Sequence, residues 1–106
     1  MILNVRRLFV FGLLLVSSQV LAQGDAESGA IIGETCLGCH GIGSYTNVYP
    51  TYKVPKLGGQ HGQYIAAALK AYRDGSRAHP TMEAQAARLS DEEIADISAY
   101  LAGLEQ

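Results

Sequence analysis

The chain has 106 residues, a formal net charge of −2, 48% hydrophobic side chains and two cysteines. That length holds one domain rather than two, so no second domain is available to carry a separate function. A slightly acidic chain lacks the clustered Lys and Arg that phosphate recognition requires, which argues against nucleic acid as a partner.

The first segment has the make-up of a secretory signal peptide. Arg6 and Arg7 supply the positive region, Leu8 to Val16 form a short apolar run, and Val20-Leu21-Ala22 ends in the small residue that cleavage needs. Ser17, Ser18 and Gln19 interrupt the apolar run, which falls short of the roughly 20 residues that span a bilayer. Residues 1–22 therefore read as a leader and residues 23–106 as the mature domain, secreted and with no membrane span after cleavage. Six basic side chains then face ten acidic ones, a net charge of −4. So short a domain buries proportionally little surface and gains from a staple.

Asp25-Ala26-Glu27 has N-cap and first-turn acidic chemistry and predicts a helix from about Ala26 to Cys36, broken by Gly38 and Gly41. From Gly41 to Gly59, glycines, Pro50, Pro55 and the tyrosines Tyr45, Tyr49 and Tyr52 follow neither helical nor strand periodicity. A connection that long in a small domain needs something to pack on. From Gln60 to Asp74 apolar residues return at three- and four-residue steps, and Gly75 closes the segment. Pro80 and Met82 fall in a turn between two helices. Ser90-Asp91-Glu92-Glu93 forms a capping box, followed by Ile94, Ile97, Leu101 and Leu104 on one face. No run of alternating residues is present, so the fold class is all-α.

Cys36-Leu37-Gly38-Cys39-His40 has the spacing of c-type haem attachment. Two intervening residues let both sulfurs reach the vinyl groups of one haem, and His40 then projects its imidazole at the iron. Three other uses of the cysteines compete. A thioredoxin-like pair needs a nearby βαβ pattern, a structural zinc needs four protein ligands, and secreted proteins oxidise their thiols to plain disulfides.

A second axial ligand can come from Met82, the single methionine of residues 23–106, whose soft thioether raises the reduction potential. Methionines also fill gaps in cores. His79 and His61 could ligate iron too, although histidines so placed are more often surface or helix-end groups.

The motif, the lone downstream methionine and the helices resemble class I cytochrome c, in the bacterial periplasmic branch that includes the dihaem cytochromes c, over essentially the whole of residues 23–106, and the resemblance implies that the secreted chain is periplasmic. The resemblance implies a small cytochrome c fold, three main helices packed around one covalent haem. In that family a proline carbonyl accepts a hydrogen bond from the ring N–H of the proximal histidine. Pro55, in Pro55-Lys56-Leu57-Gly58-Gly59-Gln60, matches that proline better than Pro50 and would hold His40. Gly29 matches the small residue of the first helix that packs on an aromatic of the last, here Tyr100. The tyrosine-bearing stretch from Gly41 to Tyr52 departs from the family's shorter, more glycine-rich loop.

An iron with both axial positions filled by His40 and Met82 has no open site for a substrate. The expected role is therefore electron transfer between redox protein partners, as a monomer in transient complexes and without enzymatic activity. Two alternatives are a subunit of a periplasmic dehydrogenase and a five-coordinate haem protein that binds gases or reacts with peroxide. Lys53, Lys56, Lys70 and Arg73 form either a solvated face or a ring around the haem edge that steers an acidic partner.

Overall fold

In the computed structural model, which describes residues 24–105, five helices and one two-stranded ladder follow one another along the chain. The expected leader, residues 1–22, lies outside the described residues. Among those residues no helix is long and apolar enough to cross a membrane.

Asp25 caps α1, Ala26–Ile32, by accepting a hydrogen bond from Glu27 N–H. Gly33 breaks this helix from α2, Glu34–His40, so the single expected helix is two. α2 runs through Gly38, where an added Cβ would meet nothing within 4 Å, and stops at Gly41. Gly38 costs helix propensity there, roughly 0.5–1 kcal/mol relative to Ala, too little by itself to end the helix.

The connection from Gly41 carries a short antiparallel ladder, β1 Thr46–Asn47 against β2 Tyr52–Lys53, with Thr46 opposite Lys53 and Asn47 opposite Tyr52. Thr51 Oγ1 donates to Val48 O and Asn47 Nδ2 to Pro50 O, so side chains close the turn between the strands. Backbone bonds from Val54 N–H to Tyr45 O, Leu57 N–H to His40 O and Gly59 N–H to Leu101 O tie the rest of the stretch down.

α3, Gly62–Asp74, ends at Gly75 in the left-handed conformation. The turn expected around Met82 is instead a helix, α4, Pro80–Ala86, with Pro at its N-terminus, where the missing N–H costs nothing. α5, Asp91–Gly103, opens on the full capping box: Glu93 N–H donates to Ser90 Oγ, and Ser90 N–H to Glu93 Oε2.

The core is small. Ile65 and Leu69 of α3, Ala86 of α4 and Ile94, Ile97 and Leu101 of α5 form one buried cluster. Arg73 joins α3 to the start of α5, donating to Leu89 O at 3.0 Å and pairing with Asp91 Oδ1 at 2.7 Å. That hydrogen bond holds the exposed Asp91 carboxyl below its ordinary range. α1 crosses α5 at Gly29, where an added Cβ would collide with the Asp96 carbonyl and with Tyr100. Asp96, only 8% exposed, accepts at Oδ1 from Asp25 N–H at 2.7 Å and fastens the start of α1 to the same crossing. Gly29→Ala is expected to cost about 3 kcal/mol, the upper end for overpacking. Thermal unfolding checks it, at roughly 4–8 °C of melting temperature per kcal/mol. An unchanged midpoint would mean that the two helices have room to part.

Candidate functional site

Cys36 and Cys39 stand one helical turn apart on α2, and His40 is its last residue. Both thiols are free, Cys36 partly buried and Cys39 exposed. His40 Nδ1–H donates to the carbonyl of Pro55 at 2.7 Å. A carbonyl only accepts, so the ring proton sits on Nδ1 and the Nε2 lone pair is free to ligate. The carbonyl of Pro50 is engaged elsewhere, by Asn47.

These groups open onto a cavity of about 350 Å³, which Cys36, Cys39, His40, Pro55 and Met82 all border. Apolar core residues, among them Ile65, Leu69, Ile97 and Leu101, form much of its wall. Met82 arrives from α4, whose first turn is capped by His79. His79 Nδ1 accepts from Met82 N–H at 3.4 Å, and His79 N–H donates to Glu83 Oε2 at 3.2 Å. His79 borders the cavity as well; His61 is the exposed N-cap residue of α3 and does not.

Of the tyrosines in the Gly41–Tyr52 stretch, Tyr52 reaches the cavity and Tyr45 and Tyr49 do not, and sequence reasoning missed that Tyr64 and Tyr72 join it in an aromatic wall. Tyr52, Tyr64 and Tyr72 line the cavity, with Arg77 at 4.8 Å over the Tyr72 ring and His79 edge-on to Tyr52. Tyr64 and Tyr72 follow the helical spacing of α3, but their convergence with Tyr52 depends on how the preceding connection folds. Lys53 and Lys56 border the cavity and Lys70 and Arg73 do not; Arg73 is spent on Asp91. No carboxylate lies among the lining residues, and Arg77 is the third cation there.

The donor set fits a haem. Two thiols and an imidazole come from one helix, a soft thioether from another, and the wall between them is largely apolar. The competing chemistries fit less well. Among the described residues no three His, Cys, Asp or Glu side chains gather to hold a bare metal ion. Burial pushes the Cys36 thiol above its ordinary value of 9.0, with a Thr35 hydrogen bond opposing, whereas a redox-active dithiol needs a lowered pKa.

Residues 26–105 match the family model described as cytochrome c. The chain belongs to the cytochrome c family. It is 42% identical over 85 residues to cytochrome c-554(548) of Halomonas halodenitrificans, covering 77% of this chain and 99% of that one. It is 40% identical over 96 residues to cytochrome c4 of Pseudomonas aeruginosa, covering 80% of this chain and 45% of that one. The solved structure of reduced recombinant cytochrome c4 from Pseudomonas stutzeri superposes with a TM-score of 0.57 at 30% identity, over 78% of this chain and 52% of that one. The cytochrome c family implies a covalently bound haem c and an electron-carrying role, and the mostly helical architecture agrees with the small cytochrome c fold. This chain spans about half the length of the cytochromes c4 that it matches.

Proposed function

We propose that this cytochrome is a periplasmic single-electron carrier that holds one haem c, linked by thioethers to Cys36 and Cys39 and ligated axially by His40 and Met82. The observation that carries this reading is the convergence of those four side chains on one largely apolar cavity. When bound, the haem supplies a one-electron Fe(III)/Fe(II) exchange. The chain's own residues do the rest. Pro55 fixes the tautomer and ring plane of His40 and increases the ligand's basicity. Met82 offers a neutral, soft sulfur that favours the reduced state. Ile65, Leu69, Ile97 and Leu101 exclude water from the site. With both axial positions filled, no coordination site is left for a substrate, and the protein acts as a shuttle without catalysis of its own. Residues 1–22 direct it through the membrane and are removed.

An absorption spectrum of protein made in a host that matures c-type cytochromes tests this directly. Sharp bands on reduction, haem that survives denaturation and extraction, and the far-red sulfur-to-iron band of the oxidised form are expected. A colourless product would return Cys36 and Cys39 to thiol or disulfide chemistry.

The partner meets Lys53, Lys56 and Arg77 at the rim and no acidic side chain among the lining residues, although the mature chain is acidic overall. An acidic docking face fits that rim. Replacing Lys53 and Lys56 together by glutamate is expected to slow electron transfer at low ionic strength and to flatten its salt dependence. Stopped-flow rates that keep the parent's salt dependence would rule out steering through these lysines.

A further inference from the structure

The four-residue stretch from Tyr52 to Pro55 touches both sides of the site. At one end the Pro55 carbonyl holds His40. At the other, Tyr52 Oη–H donates to Thr81 Oγ1 at 3.0 Å, one residue before Met82. The Tyr52 ring also meets the His79 ring edge-on, with centroids 4.6 Å apart and an interplanar angle of 83°. In between, Val54 is buried and its N–H bonds to Tyr45 O. The strap is thus fastened at each end and in the middle.

α4 needs that fastening. It has seven residues, too few to be stable alone in water, and of these only Ala86 is buried. The N-cap bond from Met82 N–H to His79 Nδ1 is 3.4 Å, beyond the ordinary range for such bonds. The return bond from His79 N–H to Glu83 Oε2, at 3.2 Å, ties His79 to the second turn, so the N–H of Met82 itself is held by the long bond alone.

We propose that Tyr52 is a positioning residue for Met82, holding the first turn of α4 through its hydroxyl on Thr81 and its ring on His79. This rests on Met82 being an axial ligand. The strap then joins the supports of both ligands in one piece of chain, so loosening Tyr52 makes Met82 easier to displace while His40 keeps its own bond to Pro55. The phenol hydroxyl sets the balance between ligated and displaced methionine without touching the iron.

The test uses the haem-loaded protein and titrates imidazole as the competing ligand, with the far-red sulfur-to-iron band as the readout. Tyr52→Phe keeps the ring and removes the hydroxyl; Thr81→Val removes its acceptor, and Thr81→Ser retains it. Tyr52→Phe and Thr81→Val are expected to bind imidazole about two- to tenfold more tightly than the parent, the range one neutral hydrogen bond supplies. Thr81→Ser is expected to behave as the parent. Ser90→Ala, which weakens the cap of α5, is the control for general destabilisation and is expected to leave imidazole binding unchanged. Equal imidazole affinity in the parent and Tyr52→Phe, or an equal gain in Ser90→Ala, overturns the proposal. A parent that lacks the far-red band fails earlier and separately, because it removes Met82 from the iron altogether.

Discussion

Replacing Cys36 and Cys39 together by alanine is expected to leave a protein with no covalently bound haem and with much of its helix lost at room temperature. The first half follows from thioether chemistry, since alanine offers no sulfur to a vinyl group. The second follows from the size of the core. Among the described residues, the buried apolar side chains outside the cavity wall are Ala86 and Ile94. Ile65, Leu69, Ile97 and Leu101 all belong both to the core and to the cavity wall. A domain of this length buries a modest share of its surface in any case. The four side chains are 8% exposed or less, so what the haem adds is contact across an apolar cavity of about 350 Å³, whose lining otherwise has no partner atoms on one side. Net stabilities of small domains, about 5–15 kcal/mol, leave little to offset that loss. Extraction of the denatured protein, followed by a pyridine spectrum, reads the first effect, and far-UV circular dichroism reads the second. Haem that resists extraction from the double variant, or helix content equal to the parent's, would contradict the expectation.

Met82→Leu is expected to separate ligation from packing. Leu and Met have similar volumes, and exchanges of this kind usually cost less than about 1.5 kcal/mol, so the variant should fold and retain its covalent haem. It should lose the far-red sulfur-to-iron band. Its midpoint potential should fall by tenths of a volt, within the roughly 0.8 V over which axial ligands set haem potentials. The direction follows from the loss of a neutral sulfur ligand that favours the reduced iron. A spectroelectrochemical titration of parent and variant measures both effects together. A parent without that band, together with a potential that Met82→Leu leaves unchanged, would mean that another side chain ligates. His79, which also borders the cavity, is the first to examine by the same substitution.

What could be read from the sequence was what local rules determine. Ser90 and Glu93 announced α5 because both halves of a capping box lie within four residues, and Gly75 announced the end of α3 because a left-handed terminus favours glycine. The Gly29 and Tyr100 contact came from family resemblance, and the collision an added Cβ would suffer at Gly29 gives its physical reason. α4 escaped notice because seven residues with Met82 and Ala86 as the inward-facing apolar pair give almost no periodicity, and because histidine is not a usual cap. The available signal was Pro80 at the first helical position with Glu83 three residues on. The break at Gly33 was equally hidden, since a single glycine is tolerated in many helices; here an added Cβ would press on the Gly29 carbonyl four residues back. For the site, the attachment motif is contiguous and legible. The Tyr52, Thr81 and His79 cluster joins residues 29 apart and depends on where the β1–β2 ladder is laid down.

The bond from Asp25 N–H to Asp96 Oδ1 joins residues 71 apart. Synthesis runs from the N-terminus, so this closure, and the seating of α1 on α5 with it, must wait until Asp96 has been made. The Cys36–His40 stretch lies on the early side of that interval. It emerges well before the helix that completes the fold, giving an attachment machinery an extended substrate rather than a finished one. A late-closing topology therefore leaves the attachment residues without their α5 neighbours until Asp96 is in place.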